Sequence, residues 1–337
     1  MRDALLLDFM ALADVEIIIT YDVRQGLPQF EGISVPRLQA IAVDAHSNVP
    51  AIWSEILQSC DAALIVAPET NGILSNLTRL LDASGVINLG CGQHAVDLTS
   101  HKINTYQQLT QAGILTIPTQ TATAFLADDC LDSEPDQHGS LDQGVVLKPN
   151  DGAGCDHTYV FPNAATLRTY LNARKESVEW ENAIVQPYQV GLPASISMLC
   201  QHGQAWVLSC NQQNIQLKAL PTLQPDIDVK SIGYHGAIVN GLVQHWAAFS
   251  TLANKIAAAI PSLNGYVGVD VIIHDQDLYV VEINPRITTS YVALSASLDL
   301  NPARLIVDLA TIKAAAQNNP LLKTMSCHAV EVILNDE

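Results

Sequence analysis

Apolar residues recur with strand and helix spacing through the first hundred positions. Residues 15–20 are rich in β-branched side chains and predict a strand, and the apolar run at 61–67 predicts a buried one. Leucines within residues 74–83 recur at helical spacing, and residues 86–89 predict another short strand. Strands that alternate with helices favour a parallel sheet with helices on its faces.

Longer helices and a further series of strands are predicted beyond this region. Residues 97–113 indicate one helix that ends at Gly113, and its apolar spacing turns Lys102 toward the helix flank. Residues 128–143 are acidic and lack periodicity, which predicts an exposed loop. Other strands are predicted at 145–148, 183–186, 195–200 and 204–210, and other helices at 3–10, 246–260, 290–298 and 302–317.

Residues 265–286 have the pattern of two strands joined by a short polar turn. Side chains alternate between the two faces of a strand, so Asp270 shares a face of the first strand with Gly268 and Ile272. By the same rule one face of the second strand carries Leu278, Val280, Glu282 and Asn284.

The length of the turn decides which residue lies opposite Asp270. A three-residue loop centred on Gln276 places Asp270 opposite Glu282, with Cβ atoms about 5 Å apart. A loop one residue longer or shorter places it opposite Val281 instead. Facing carboxylates repel one another, and a cation between them removes the repulsion. Asn284 adds an amide oxygen, and hard ions such as Mg²⁺ prefer oxygen ligands.

Pro285 and Arg286 directly follow the second strand. The alternative interpretation of this segment is a solvated polar face that happens to carry two acids. A cation, two acids and an amide at one strand end are more typical of a phosphate–metal site. The spacing therefore favours the metal site over the alternative.

Composition limits the classes of function. The chain has 337 residues, enough for two or three domains, with 48% hydrophobic and 15% charged residues. The net charge of −18 disfavours nucleic acid and anionic membranes but leaves room for a nucleotide in a local cationic pocket. Seven cysteines without CxxC spacing favour a reducing cytoplasm over a disulfide scaffold. We find no signal peptide and no run of about 20 apolar residues.

Two lysines are candidate phosphate contacts. Lys148 ends an apolar strand and precedes a loop of small residues at 152–155. Small residues let backbone N–H groups approach phosphate oxygens closely, and a lysine supplies charge. Taken alone, a lysine at a strand end is more often simply solvated, and Asp-Gly is a common turn.

The order of these parts resembles the ATP-grasp superfamily. Lys102 on a helix comes first, then Lys148 and its loop, then a strand that runs into residues 186–188, and last the acidic hairpin. The most specific part is Val-Glu-Ile-Asn-Pro-Arg at 281–286, which resembles the family's metal-binding E-x-N-P-R signature. Relatives usually begin with a strand and a glycine-containing loop, whereas residues 3–10 predict a helix. We therefore expect the first strand to be missing, through truncation or a misassigned start.

The resemblance implies a metal and phosphate site. Asp270, Glu282 and Asn284 would hold one or two Mg²⁺ or Mn²⁺ ions that bridge the phosphates of ATP. The phosphates would also contact Lys102 and Lys148, and the implied flap over them consists of Gly152, Ala153, Gly154 and Cys155.

The resemblance also implies an adenine pocket and a catalytic pair. Backbone atoms of Gln186, Pro187 and Tyr188 would line the adenine pocket. Arg286 would stabilise the charge on an acyl phosphate and on the transferring phosphoryl group. Arg286 and Lys148 are therefore the implied catalytic residues.

Residues 67–72 and 283–291 resemble the tyramine–glutamate ligases of methanofuran-type cofactor synthesis, which join the γ-carboxyl group of glutamate to tyramine. Thr288, Thr289 and Ser290 would then border the substrate, and their alternative role is a helix N-cap. Glu69 is a candidate substrate contact or an ordinary first-turn helix acid. His235, in a loop predicted to face the site, is a candidate for proton transfer or an uninvolved surface histidine.

These observations predict an α/β (α+β) protein with an ATP-grasp fold and an N-terminal parallel-sheet domain. We expect three parts, at residues 1–97, 98–188 and 189–337. The implied activity is ATP-dependent acid–amine ligation through an acyl phosphate, with glutamate and tyramine as candidates. The alternatives are a nucleotide-binding regulatory protein without turnover, or a ligase of this class for another amino acid or peptide. Expected partners are small-molecule amino acid and amine substrates and a second copy in a homodimer, without nucleic acid or membrane.

Overall fold

The computed structural model describes residues 1–26, 37–127, 144–152, 154–174, 180–220, 228–311 and 325–334. The helices are α1 (Arg2–Met10), α2 (Val49–Leu57), α3 (Ile73–Ser84), α4 (Gln93–Thr99), α5 (Lys102–Gln111), α6 (Ala122–Ala127), α7 (Ala164–Asn172), α8 (Trp246–Ala259), α9 (Leu294–Leu298) and α10 (Pro302–Thr311). The first strands are β1 (Ile17–Asp22), β2 (Leu38–Val43), β3 (Ala62–Ala63), β4 (Ile87–Asn88), β5 (Gln120–Thr121), β6 (Val145–Pro149) and β7 (Tyr159–Phe161). The later strands are β8 (Ala183–Pro187), β9 (Leu192–Gln201), β10 (Gln204–Ala219), β11 (Lys230–Val239), β12 (Gly265–His274), β13 (Asp277–Asn284) and β14 (Val330–Ile333). The loop predicted at 128–143 lies outside the described residues.

The N-terminal strands pair in parallel as predicted, but they form two separate two-stranded sheets, and strand β2 was not predicted. β1 pairs with β2 and β3 pairs with β4, both in parallel. The strand predicted at 61–67 is wrong for most of its length, because only Ala62 and Ala63 pair with a neighbour. Its partner β4 ends at Asn88, whose side-chain oxygen accepts from Gly90 N and so turns the chain away.

The single helix predicted at 97–113 is also wrong, because the structure breaks it into α4 and α5. His101 is extended between them, with φ −106° and ψ 111°. The first turn of α5 donates to another loop, through Lys102 N to Asn150 O at 2.9 Å and Ile103 N to Asn150 Oδ1 at 3.0 Å. Lys102 is therefore the first residue of a helix, and its side chain is buried instead of lying on a helix flank.

A ten-stranded sheet forms the scaffold of the rest of the chain. Its order is β13-β12-β9-β10-β11-β7-β6-β8-β5, and β14 pairs with the side of β11. The mixed α/β architecture confirms the predicted fold class. The sheet continues across residues 188 and 189, since β8 and β9 both belong to it, and the three-part division with its boundaries stays a prediction. No helix among the described residues is long and apolar enough to cross a membrane.

In the hairpin of β12 and β13, Asp270 pairs with Glu282 as predicted, but the turn length and the register differ from the prediction. The turn has two residues, because His274 pairs with Asp277. With this turn and an uninterrupted ladder of pairs, Asp270 would lie opposite Val281. Instead Val281 is an extra residue of β13 that has no partner on β12. Val271 pairs with Val280, and the register then shifts so that Asp270 pairs with Glu282.

This bulge also changes which residues share a face. Val280 packs in the apolar core with Val271, and Leu278 packs against the same cluster. Glu282 and Asn284 instead line the open cleft together with Asp270. The prediction that Leu278, Val280, Glu282 and Asn284 share one face is therefore wrong, because the extra residue inverts the alternation between its two sides.

The N-terminal region docks against the start of this hairpin at Gly265. The glycine has φ +69°, and a Cβ there would overlap the Leu89 carbonyl oxygen and lie 2.9 Å from Gly90 Cα. Nearby, Asn264 Nδ2 donates to Gly90 O at 3.2 Å. The backbone after β4 therefore touches the backbone at the start of β12, which fixes the N-terminal region next to the cleft.

We predict that Gly265→Ala lowers the free energy of unfolding by roughly 2–5 kcal/mol, because the methyl group meets backbone atoms that have no room to move. Gly113→Ala is the matched control: Gly113 has φ +66° and open space around its Cβ position. The control should lose only about 1 kcal/mol, the conformational cost of a left-handed alanine. Urea denaturation measures both values, and equal losses would contradict the close backbone contact.

Candidate active site

A single open cleft of about 710 Å³ collects most of the predicted site residues. It is lined by residues of β6 and β8 together with residues of β9 to β13. The predicted residues found in its lining are Lys102, Lys148, Gly152, Gly154, Cys155, Gln186, Pro187, Tyr188, Asp270, Glu282, Asn284, Arg286, Thr288, Thr289 and Ser290. Ala153 lies outside the described residues, and Glu69 and His235 do not line the cleft.

The centre of the cleft is the pair of facing carboxylates, Asp270 and Glu282. Asp270 accepts from Gln213 Nε2 at 2.9 Å and from Asn284 Nδ2 at 3.3 Å. Burial raises the pKa of Asp270 to about 7, and the charge of Glu282 adds to the shift. Gln213 was not predicted, because its contact with Asp270 depends on the pairing of β9 with both β10 and β12.

Two buried lysines balance this pair. Lys102 Nζ lies 3.4 Å from Glu282 Oε2 and 3.4 Å from Gly152 O. Burial by itself raises the pKa of Glu282, but attraction to Lys102 and Lys148 outweighs burial and lowers the pKa to about 2. Burial lowers the pKa of Lys148 to about 8, against the attraction of Glu282. The site therefore holds two positive side chains close to its negative ones.

Arg286 follows β13 and is held by an acid from the N-terminal region. Its Nε donates to Glu69 Oε2 at 2.8 Å, and its Nη1 donates to Ile287 O at 3.1 Å. Glu69 is 3% exposed, and within the described residues its Oε1 atom has no hydrogen-bond partner. Burial raises the pKa of Glu69, and this effect exceeds the opposite effect of attraction to Arg286. Glu69 therefore supports Arg286 instead of standing in the cleft as a substrate contact.

The loop after β6 is anchored on two sides. Asp151 Oδ2 accepts from Asn71 N, and Asp151 Oδ1 accepts from Asn182 Nδ2, both at 2.9 Å. Asn71 has φ 54°, a left-handed conformation within the turn that also carries Glu69. This one turn of the N-terminal region thus contacts both Arg286 and the base of the small-residue loop.

Hydroxyl groups line the cleft near Arg286. Thr288 Oγ1 lies 2.9 Å from Tyr266 Oη, and Ser290 lines the cleft together with Tyr234. Thr288 precedes a 3₁₀ helix but makes no side-chain capping bond, so the N-cap alternative does not account for its hydroxyl group.

His235 does not lie in a loop as predicted, because it is part of β11. Neighbouring residues of a strand point to opposite faces, and Tyr234 is the one that lines the cleft. The aromatic residue next to the predicted histidine is therefore the one placed for contact with a ligand.

The strand end at β8 carries the three residues predicted to line an adenine pocket, and all three line the cleft. Gln186 Nε2 donates to Thr119 Oγ1 at 2.8 Å, which turns this side chain toward a buried partner. Pro187 and Tyr188 line the cleft beside the apolar side chains of Val146 and Ile272. Apolar side chains beside a strand end suit the face of a purine ring, and the adenine role of these residues stays a prediction.

The donor atoms at the centre fit a hard divalent cation. Asp270, Glu282 and Asn284 offer oxygen atoms on one face of one hairpin, which suits Mg²⁺ or Mn²⁺. Within the described ranges, no three His, Cys, Asp or Glu side chains gather into a metal-binding group. A cation held here would therefore complete its ligands with phosphate oxygens and water.

The fold and this cleft define a protein in which one large β-sheet gathers buried lysine and carboxylate side chains in a single cleft. The ATP-grasp domain family matches residues 99–290, and the pre-ATP-grasp 3 domain family matches residues 15–96. The chain belongs to the ATP-grasp family, as its metal-site signature and the order of its parts predicted.

Individual relatives extend this assignment. Tyramine–L-glutamate ligase from Methanocaldococcus fervens is 27% identical over 302 residues, which cover 89% of this chain and 83% of that protein. The biotin carboxylase domain of Hydrogenobacter thermophilus 2-oxoglutarate carboxylase, solved with MgADP, ADP and bicarbonate, superposes with a TM-score of 0.70 at 16% identity, over 94% of this chain and 68% of that one. L-amino acid ligase from Bacillus licheniformis superposes with a TM-score of 0.64 at 14% identity, over 95% and 73%. The two structures show the shared fold, and the family and the ligase relative identify an ATP-dependent ligase.

We predict that Glu69→Gln lowers kcat roughly tenfold and leaves the KM for ATP unchanged, because Arg286 loses the charge that holds it in place. Initial rates of ADP formation measure both constants, and the melting temperature tests whether the fold is intact. Asp14→Asn is the matched control, since Asp14 is the exposed carboxylate partner of Arg304 at 2.9 Å. Equal rates in Glu69→Gln and Asp14→Asn would show that Arg286 does not depend on Glu69.

Proposed function

We propose that this protein uses ATP to join a carboxylic acid to an amine through an acyl phosphate, with glutamate and tyramine as the first candidates. The observation that carries the proposal is the cluster of Asp270, Glu282, Lys102, Lys148 and Arg286 in one cleft. Each of these side chains has a role in transfer of a phosphoryl group, and they converge from four different parts of the chain.

In the first step a carboxylate oxygen of the acid attacks the γ-phosphorus of ATP. The bond from that phosphorus to the β-bridging oxygen breaks, and ADP leaves with the electron pair. Lys102 and Lys148 neutralise the phosphate oxygens, and Arg286 orients the acid and the transferring group. Asp270, Glu282 and Asn284 would hold Mg²⁺ or Mn²⁺, which would further neutralise phosphate charge.

In the second step the neutral amine attacks the acyl carbon. The bond from that carbon to the phosphate oxygen breaks, inorganic phosphate leaves and the new amide nitrogen loses a proton. Water competes with the amine at this stage, so the intermediate needs shelter. We infer that the loop after Lys148 covers the phosphates, and the two contacts of Asp151 that hold the base of this loop support the inference.

The choice of glutamate and tyramine rests on the name and extent of the ligase relative. Arg286 with the hydroxyl groups of Thr288, Thr289 and Ser290 supports it, since a guanidinium group and hydroxyl groups suit a dicarboxylic acid.

We predict that ADP release requires an acid and an amine together. Mass spectrometry of the products from a panel of acid–amine pairs with Mg²⁺ and ATP, beginning with glutamate and tyramine, identifies the amide. Reactions that lack either the acid or the amine are the controls. If the protein binds ATP but no acid–amine pair stimulates ADP formation, the ligase reaction is ruled out.

We predict that Glu282→Gln keeps the fold and lowers turnover by roughly 10²-fold or more, because a metal ligand loses its charge. A titration with Mg²⁺ should show half-maximal rate at a higher metal concentration. Glu55→Gln is the control, because it removes one exposed carboxylate from this acidic protein. Unchanged activity of Glu282→Gln at saturating Mg²⁺ would remove Glu282 from the site.

A further inference from the structure

Apolar residues line the cleft on two sets of strands, and the predicted adenine position accounts for only one set. The first lies beside the β8 strand end and includes Val146, Pro187 and Ile272. The second lies on β10 and β11, and its members are Ile215, Leu217, Ile232 and Tyr234. We call this second group the β10–β11 patch.

The β10–β11 patch is contiguous because its residues are direct partners across the two strands. Ile215 pairs with Tyr234, and Leu217 pairs with Ile232. The patch therefore measures about 7 Å along the strands and about 5 Å across them, which is the footprint of one six-membered ring or a short branched chain. Leu217 is 44% exposed, an unusual degree for a leucine that lines a cleft.

One end of the patch reaches the reacting centre. Gln213, two residues before Ile215 on β10, donates to Asp270 at 2.9 Å. Tyr234 lines the cleft together with Ser290, which belongs to the segment that follows Arg286. A molecule that lies on the patch can therefore place one end beside the carboxylate pair and Arg286.

The side chains of the β10–β11 patch are uncharged, so the patch favours the uncharged part of a substrate. The cleft-lining residues of β10 and β11 are Gln213, Ile215, Leu217, Ile232 and Tyr234, and none of them carries a charge at neutral pH. A glutamate body placed here would leave its charged groups without partners, which is costly. Arg286 and its neighbouring hydroxyl groups fit the acid better.

We propose that the β10–β11 patch is the subsite for the acceptor amine and selects amines with an apolar, ring-sized body. This inference rests on the proposed ligase function in taking the occupant to be the amine. The amino group lies toward Asp270, and the apolar body packs on Ile215, Leu217 and Ile232. Full burial of such a body raises affinity by about 10- to 100-fold over a small polar amine.

The first test measures binding, so that it is independent of turnover. Isothermal titration calorimetry uses the full chain with Mg²⁺ and a non-hydrolysable ATP analogue, and compares phenethylamine with ethanolamine. We expect phenethylamine to bind wild type at least tenfold more tightly than ethanolamine. We expect Leu217→Gln, on β10, to lose most of this difference in affinity. Ile232→Thr, on β11, should lose part of it.

Leu334→Gln is the matched control, because Leu334 is 39% exposed and does not line the cleft. It should bind phenethylamine as wild type does. Equal binding of the two amines by wild type, or equal loss in Leu217→Gln and Leu334→Gln, would overturn the subsite.

The second test uses turnover with glutamate as the acid. Leu217→Gln should raise the KM for phenethylamine or tyramine about tenfold, with little change in kcat or in the KM for ATP. A panel in which no pair stimulates ADP formation refutes the proposed function, and calorimetry still decides the subsite. A panel in which ammonia or ethanolamine serves as well as tyramine refutes the subsite and leaves the ligase function intact.

Discussion

The pairing of Asp270 with Glu282 is the constraint on which the rest of the site depends. Two carboxylates face one another from adjacent strands of a largely buried hairpin, a placement that is unfavourable without positive charge nearby. Lys102 and Lys148 supply that charge, and the lowered pKa of Glu282 reflects their attraction. The elements that deliver these two lysines therefore contribute to the stability of the hairpin.

The positive side chains come from elements that are fixed independently of one another. Lys102 begins α5 because Asn150 caps that helix from a distant loop, and Lys148 is near the end of β6. Arg286 is oriented by Glu69, and the turn that carries Glu69 also binds Asp151 through Asn71 N. In a chain with a net charge of −18, these contacts gather cations at one point and create a pocket suited to an anionic nucleotide.

The sequence predicts the parts of the site that depend on local order and misses those that depend on distant partners. The hairpin, Lys148 at a strand end and the hydroxyl run after Arg286 follow from short patterns and a family signature. The break between α4 and α5 does not, because its cause is Asn150, 47 residues beyond Ile103. For the same reason Glu69 looked like a substrate contact, since its partner Arg286 lies 217 residues away.

The bulge at Val281 explains why a correct pairing followed from an incorrect loop. A three-residue loop would have paired Asp270 with Glu282, but it would also have turned Leu278 and Val280 toward the cleft. The two-residue turn buries both of them against Val271 and its neighbours, and the extra residue then restores the carboxylate pair. On the turn side of Val281, the register of the hairpin thus buries apolar side chains in the core. On the other side of Val281, the shifted register pairs the two carboxylates of the charged centre.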